Sequence, residues 1–196
     1  MEKLKKEDLT SRKPRVDALR NREILVTAAR QVFAQKGGSA SLEEIARSAG
    51  VGIGTLYRHF PTREDMIDAV YQAESEQIFN AAKTLSQTHT PAEAMRAWLL
   101  QFVDYLEMKQ GMTELLKSSK SEPRKLSPAS GESLQDVFGG LLKRAQDAGE
   151  IQLEGDPMDL LRAIAGVVNM NNGPAKNAAA KAMVNLILAG LKNTQK

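Results

Sequence analysis

Residues 41–60 read SLEEIARSAGVGIGTLYRHF, two short helical patterns separated by a sharp turn. Ser41 and Glu44 have the spacing of a capping box, in which each side chain bonds the other residue's backbone N–H. Leu42, Ile45, Ala46 and Ala49 then recur at helical spacing and form one apolar stripe. Gly50 closes the pattern, because a residue just past a helix adopts the left-handed conformation most cheaply when it lacks a Cβ. The apolar rhythm resumes at Val51, Leu56 and Phe60 on a second helix too short to be stable alone. Two helices meeting steeply through a short glycine-containing turn make a helix-turn-helix, with Ala46 small enough for the crossing.

The outward positions of the second helix are Ile53, Gly54, Thr55, Tyr57, Arg58 and His59. Their hydroxyl, phenol, guanidinium and imidazole groups suit phosphate oxygens and base edges, and Ile53 and the Thr55 methyl suit a thymine methyl. The glycines would let backbone approach another surface closely. The competing reading is a solvated helix face with Tyr57 half in the core.

Upstream, Asn21 is the expected N-cap of a helix from Arg22 to Lys36, with Leu25, Ala28, Ala29, Val32 and Phe33 on one face and Gly37–Gly38 as the stop. Residues 1–20 carry Lys3, Lys5, Lys6, Arg12, Lys13, Arg15 and Arg20 around Pro14, which reads as a flexible basic arm with room for some helix, either reaching for DNA or simply solvated. Downstream, Pro61 breaks the chain and Thr62 with Asp65 forms a second capping box. The helix that follows, carrying Met66, Ile67, Val70, Tyr71, Ile78, Ala82 and Leu85, is long enough to leave the small domain.

The stretch from Asn21 to Tyr71, with Phe33, Gly37, Leu42, Ile45, Ala46, Ala49, Gly50, Val51 and the run GTLYRHFPTRED, closely resembles the N-terminal DNA-binding domain of the TetR family of bacterial regulators. The resemblance implies an all-α homodimer with a small-molecule pocket in its C-terminal domain, usually a repressor released by ligand. By that analogy Thr55, Tyr57 and His59 match DNA-contacting positions, and Arg63 matches a basic phosphate-contacting position that is often Lys. Gly52 departs from the pattern, standing where many members have a capping Ser. The candidate DNA-facing set is therefore Ser41, Gly52, Ile53, Gly54, Thr55, Tyr57, Arg58, His59 and Arg63.

Charge agrees with that placement. The net charge is +3, yet residues 1–60 hold 12 Lys and Arg against 7 Asp and Glu, while the remainder holds 15 against 17. A basic excess confined to one end is the footprint of a nucleic-acid module joined to something else. With 196 residues there is room for a substantial core, and 42% hydrophobic with 26% charged residues is ordinary for a soluble globular chain. The absence of Cys excludes disulfides, thiolate metal sites and thiol catalysis. The chain opens MEKLKKEDLT, without an apolar leader or a span-length apolar run, so a cytoplasmic location off the membrane is expected. His59 and His89 form no pair, and no metal cluster, phosphate-binding glycine loop or nucleophile motif is present, so neither an enzyme nor a cofactor is expected.

Beyond the helix-turn-helix, Thr90–Pro91 opens a helix with Ala94, Trp98, Phe102, Tyr105 and Leu106 on one face, continuing after a break at Gly111 to Met112, Leu115 and Leu116. Aromatics with adaptable Met suit either plain core or the wall of an apolar ligand site. The candidate ligand set is Trp98, Phe102, Tyr105, Met112 and Asn169, the last a polar residue inside an apolar run. Residues 117–131 read as a loop, with Ser127–Pro128 opening the next helix, which ends at Gly149. Asp156 caps a helix starting at Pro157, and a final helix runs from about Pro174 to Leu191. These last two are apolar nearly all round and need cover, which a second copy would supply through Leu160, Ile164, Val168, Met183, Leu186, Ile187 and Leu191.

The expected architecture is all-α: a basic arm (1–20), a three-helix DNA-binding domain (21–66) and a helical ligand-binding and dimerisation domain (67–196). The expected function is a homodimeric repressor on a palindromic double-stranded operator, released by a small apolar or amphipathic molecule. The alternative is a constitutive DNA-binding dimer or architectural protein without an effector.

Overall fold

A computed structural model describes residues 7–117, 133–170 and 176–191, with side chains over 17–112, 133–170 and 177–191. The expected all-α class holds: the described residues form eight α-helices and no strand. In chain order these are α1 (Glu7–Lys36), α2 (Leu42–Ser48), α3 (Ile53–His59), α4 (Arg63–Thr88), α5 (Pro91–Lys117), α6 (Leu134–Asp147), α7 (Pro157–Met170) and α8 (Lys176–Leu191). They form two compact units: one contains α1–α3 and α4 up to Tyr71, the other the rest of α4 from Gln72, most of α5, and α6–α8.

In the N-terminal unit, α2 packs against both α1 and α3. The apolar stripes read from the sequence point inward, with Leu25, Ala29, Ile45, Leu56 and Met66 essentially without exposed surface. Both expected capping boxes are present. Around α4, Thr62 N donates to Asp65 Oδ2 at 3.0 Å and Asp65 N to Thr62 Oγ1 at 3.1 Å. One boundary differs markedly from expectation. α1 begins at Glu7, so Asn21 lies within it and is no cap, and residues 7–20 of the arm are helical. Pro14 removes one backbone donor, but the helix-forming residues on either side carry α1 through it. Residues 1–6 lie outside the described residues.

The C-terminal unit has its own core, in which α5, α6, α7 and α8 contribute Trp98, Phe102, Phe138, Ile164, Val184 and Leu188 among others. Two of its helix ends are closed by long-range bonds that no local motif reveals. Ala92 N, an orphan donor in the first turn of α5, bonds Glu150 Oε2 at 2.7 Å, and Arg144 Nη2 donates to the Ser86 carbonyl at the end of α4 at 3.0 Å. Gly149 ends α6 at φ +69°. Asp156 caps α7 as expected, accepting from Met158 N at 2.9 Å.

Two further boundaries differ. α5 runs through Gly111 to Lys117 without the expected break, since one glycine in a long helix costs only about 1 kcal/mol against Ala. Ser127 and Pro128 lie outside the described residues; α6 is opened instead by a capping box of Ser133 and Asp136, with reciprocal bonds of 3.1 and 3.0 Å. Pro174 also lies outside the described residues, and α8 is described from Lys176.

Candidate DNA-binding site

The site is built on the α2–turn–α3 segment. At its start, Ser41 Oγ accepts from Glu44 N at 3.1 Å and Ser41 N donates to Glu44 Oε2 at 3.2 Å. Glu44 also pairs with Lys36 at the end of α1. The Lys36 ammonium first, and the Ser41 backbone N–H second, hold the Glu44 carboxyl below its ordinary range. The turn is fixed by Gly50 at φ +67°, with Gly50 N bonded to the Arg47 carbonyl at 3.1 Å and Val51 N to the Ala46 carbonyl at 3.0 Å. A side chain at Gly50 would find open space but a strained backbone, so conformation rather than crowding selects glycine. Gly52 then caps α3 with backbone alone, its carbonyl accepting from Thr55 N at 2.9 Å and Leu56 N at 3.2 Å.

α3 divides cleanly between an inner and an outer face. Leu56 and Phe60 are buried, whereas Ile53 is 39% and Tyr57 44% exposed, so each presents part of its side chain to solvent. Gly52, Gly54 and Arg58 are exposed beside them, and Thr55 and His59 are half-buried at the margins. The outer face thus offers a phenol, a guanidinium, a hydroxyl, an imidazole and two small apolar groups on one short helix.

Two cations rest on buried rings of the unit. The Arg22 guanidinium of α1 sits 5.3 Å over the Phe60 ring at the end of α3, and that of Arg63 lies 5.3 Å over the Phe33 ring of α1. Arg63 Nη1 also donates to the Ala40 carbonyl, and Nη2 donates to the Gly38 carbonyl at 3.2 Å. Arg63 is therefore turned onto the α1–α2 turn, unlike the solvent-facing members of the expected DNA set. Ser41 acts through its cap, half-buried at the start of α2.

A family model for bacterial regulatory proteins of the tetR family matches residues 25–70, which contain this whole segment. A second, for the C-terminal domain of SbtR-like transcriptional regulators, matches residues 90–193, more than half of the chain. The chain belongs to the TetR family of transcriptional regulators. A TetR regulator from Streptomyces coelicolor is 38% identical, with 88% of this chain and 99% of that one covered at a TM-score of 0.76. A TetR regulatory protein from Mycobacterium vanbaalenii is 29% identical over 91% of this chain and 98% of its own, with a TM-score of 0.73. An HTH-type transcriptional regulator of Staphylococcus aureus is 26% identical over 135 residues, 68% of this chain and 73% of the relative.

In this TetR-family chain the other candidate residues fall differently from the α3 set. Trp98, Phe102 and Tyr105 do come together. Trp98 stacks on Phe102 at 5.4 Å and on Phe138 at 5.7 Å, Phe102 lies 6.2 Å from Tyr105, and all four rings are buried. Trp98 Nε1 donates to the Ile78 carbonyl at 2.9 Å, so its polar atom is already used. Met112 is buried too but is grouped with the N-terminal unit. Asn169 is exposed on α7, so the condition of burial under which it would need a ligand as hydrogen-bond partner is not met.

The expected interface set needs a similar correction. Leu160, Ile164 and Val168 of α7 face the chain's own core and have at most 8% of their surface exposed, so they leave nothing for a second copy to cover. Ile187 and Leu191 are partly buried against the same core. Met183 and Leu186 are the two that stand out, at 37% and 69% exposed, in line with exposed Ala179, Ala182, Ala189 and Gly190 on the same face of α8. The helical period could have separated these, since Ala180, Val184 and Leu188 form the opposite, buried stripe. Among the described residues, no helix is long and apolar enough to cross a membrane and no group of side chains could hold a metal ion.

Proposed function

We propose that this regulator is a homodimeric repressor whose two α3 helices enter successive major grooves of a palindromic operator, and that a small apolar or amphipathic molecule releases it. The observation that carries the DNA reading is the division of α3: Leu56 and Phe60 are locked inside while Ile53, Tyr57 and Arg58 project outward from a capped and anchored frame. A helix of seven residues presents only a few side chains, which matches a recognition helix that contacts a handful of base pairs per half-site.

The dimer reading is supported by the exposed apolar face of α8. A strip containing Met183 and Leu186 among small residues lets two helices approach closely, and a two-fold pair of such faces covers both. The two recognition helices would then address half-sites ~34–36 Å apart or a multiple of that. The DNA reading is tested by titrating full-length protein against duplexes from the regions flanking its own gene and against scrambled duplexes at fixed salt. Preference for one site by about 10³-fold or more is expected. Equal affinity for all duplexes would overturn it.

The release reading is supported by family membership and by the apolar, aromatic interior of the C-terminal unit. A ligand acts only through its difference in affinity between DNA-competent and DNA-incompetent dimers, and full release from 99:1 to 1:99 needs about 5.5 kcal/mol of difference. One observation favours a second reading, a constitutive DNA-binding dimer: the Trp98 stack is closed and its indole N–H is satisfied internally. Screening apolar metabolites for loss of operator binding separates the two, and no hit across such a screen would favour the second.

A further inference from the structure

We propose that Arg63 is a positioning residue of the helix-turn-helix and not a phosphate contact. The turn between α1 and α2 must place the Ser41 cap, and through it α2 and α3, yet it is short of local bonding partners. Four carbonyls around it accept hydrogen bonds. Lys36 O accepts from Ser39 Oγ at 2.8 Å and Gly37 O from Ala40 N at 3.3 Å. Those of Gly38 and Ala40 are taken by the two Nη groups of Arg63, which arrive from the first residue of α4. A cation beside the carbonyl-rich end of a helix is also favoured by the helix dipole, here that of α1.

The geometry asks for arginine specifically. A planar fork can reach two carbonyls that lie two residues apart while its face rests on the Phe33 ring, 5.3 Å from the centroid. A lysine ammonium is a compact point charge and cannot do both. A phosphate contact is less demanding, because a point charge suffices and Lys also serves. The half-buried side chain is thus a brace between the start of α4, the end of α1 and the residue preceding the Ser41 cap. Losing it frees the entry to α2 and blurs the angle at which α3 meets DNA.

This inference rests on the DNA-binding reading for its effect but has a test without DNA. In the full-length free protein, both Arg63→Lys and Arg63→Gln should speed hydrogen exchange of the amides from Ala40 to Ala46, with α8 unchanged as the internal reference. Unchanged protection in both variants overturns the brace whether or not the chain binds DNA. On the operator, at a temperature where circular dichroism shows both variants folded, each should lose about tenfold or more in specific affinity, the scale of one disturbed base contact. Affinity for non-specific duplex should stay near wild-type, and the salt slopes of the two variants should agree. Wild-type affinity in Arg63→Lys would overturn the proposal. So would a salt slope in Arg63→Gln smaller by about 1.8, the value expected when each subunit of a dimer neutralises one phosphate fewer. Unchanged specific affinity in both variants would overturn it as well.

Discussion

The two units put different chemistry on their surfaces. In the N-terminal unit the exposed face of α3 carries hydrogen-bonding groups beside Ile53, while Leu56 and Phe60 are inside and cations rest on the buried Phe33 and Phe60 rings. In the C-terminal unit the aromatic cluster is closed and internally bonded, while the exposed face of α8 is nearly all alkyl. The first arrangement suits a polar partner read group by group, the second an apolar partner joined over area. A side chain that looks distinctive in the sequence is outward in one unit and inward in the other. Tyr57 is 44% exposed, whereas Trp98 has no exposed surface.

The contrast is broken most forcefully on α8. A charge at Leu186, 69% exposed, should leave the fold intact while separating the subunits, so Leu186→Arg should sediment as a monomer. Because linked half-site binding is worth about 10²–10⁴ in affinity, operator binding should fall by a comparable factor. A stable Leu186→Arg dimer would move the interface to another face. Next is Trp98→Ala, which removes a fully buried ring stacked on two others and should cost about 3–5 kcal/mol of unfolding free energy by chemical denaturation. A cost under about 1 kcal/mol would mean that the cluster is loosely packed and closer to a ligand cavity than to a core.

The smallest effect is with acid. The Glu44, Asp136 and Asp156 carboxyls are all held below their ordinary values, by Lys36 with Ser41, by Ser133, and by the Met158 N–H respectively. A carboxyl depressed in the folded state stabilises it above the unfolded-chain pKa and loses that contribution as the pH falls through the folded value. Stability should therefore be insensitive to these groups at neutral pH and decline as pH drops below the ordinary values of 4.5 for Glu44 and 3.8 for the two Asp residues. Glu44→Gln should flatten that decline in the N-terminal unit, followed by the amide signals of α2. An unaltered acid profile would place the cap outside the cooperative transition.

What the sequence makes legible follows the same division. In the helix-turn-helix the inner residues are apolar and most outer ones polar, so the stripe Leu42, Ile45, Ala46 and the face carrying Tyr57 and Arg58 can be told apart by pattern, with Ile53 the apolar exception. Caps are legible for a similar reason, since Ser41–Glu44 and Thr62–Asp65 are local. In the C-terminal unit core, ligand wall and interface are all built from alkyl and aromatic groups, and hydrophobicity does not say which neighbour an apolar face meets. Pattern alone therefore assigns Leu160, Ile164 and Val168 to a partner although they belong to the chain's own core. Long-range bonds such as Glu150 to Ala92 N, Arg144 to Ser86 O and Arg63 to the α1–α2 turn join residues far apart in the chain, and no spacing rule announces them.

The central claim is that the outward face of α3 reads base sequence. Selection from a pool of randomised duplexes, run in parallel with wild-type protein and Tyr57→Ala, addresses it directly. Wild-type should enrich an inverted repeat, and Tyr57→Ala, folded as judged by circular dichroism, should bind that repeat more weakly by about 1–3 kcal/mol and relax the base preference at one position in each half-site. Enrichment of the same repeat with the same affinity by Tyr57→Ala, or of no sequence at all by the wild-type protein, would contradict it.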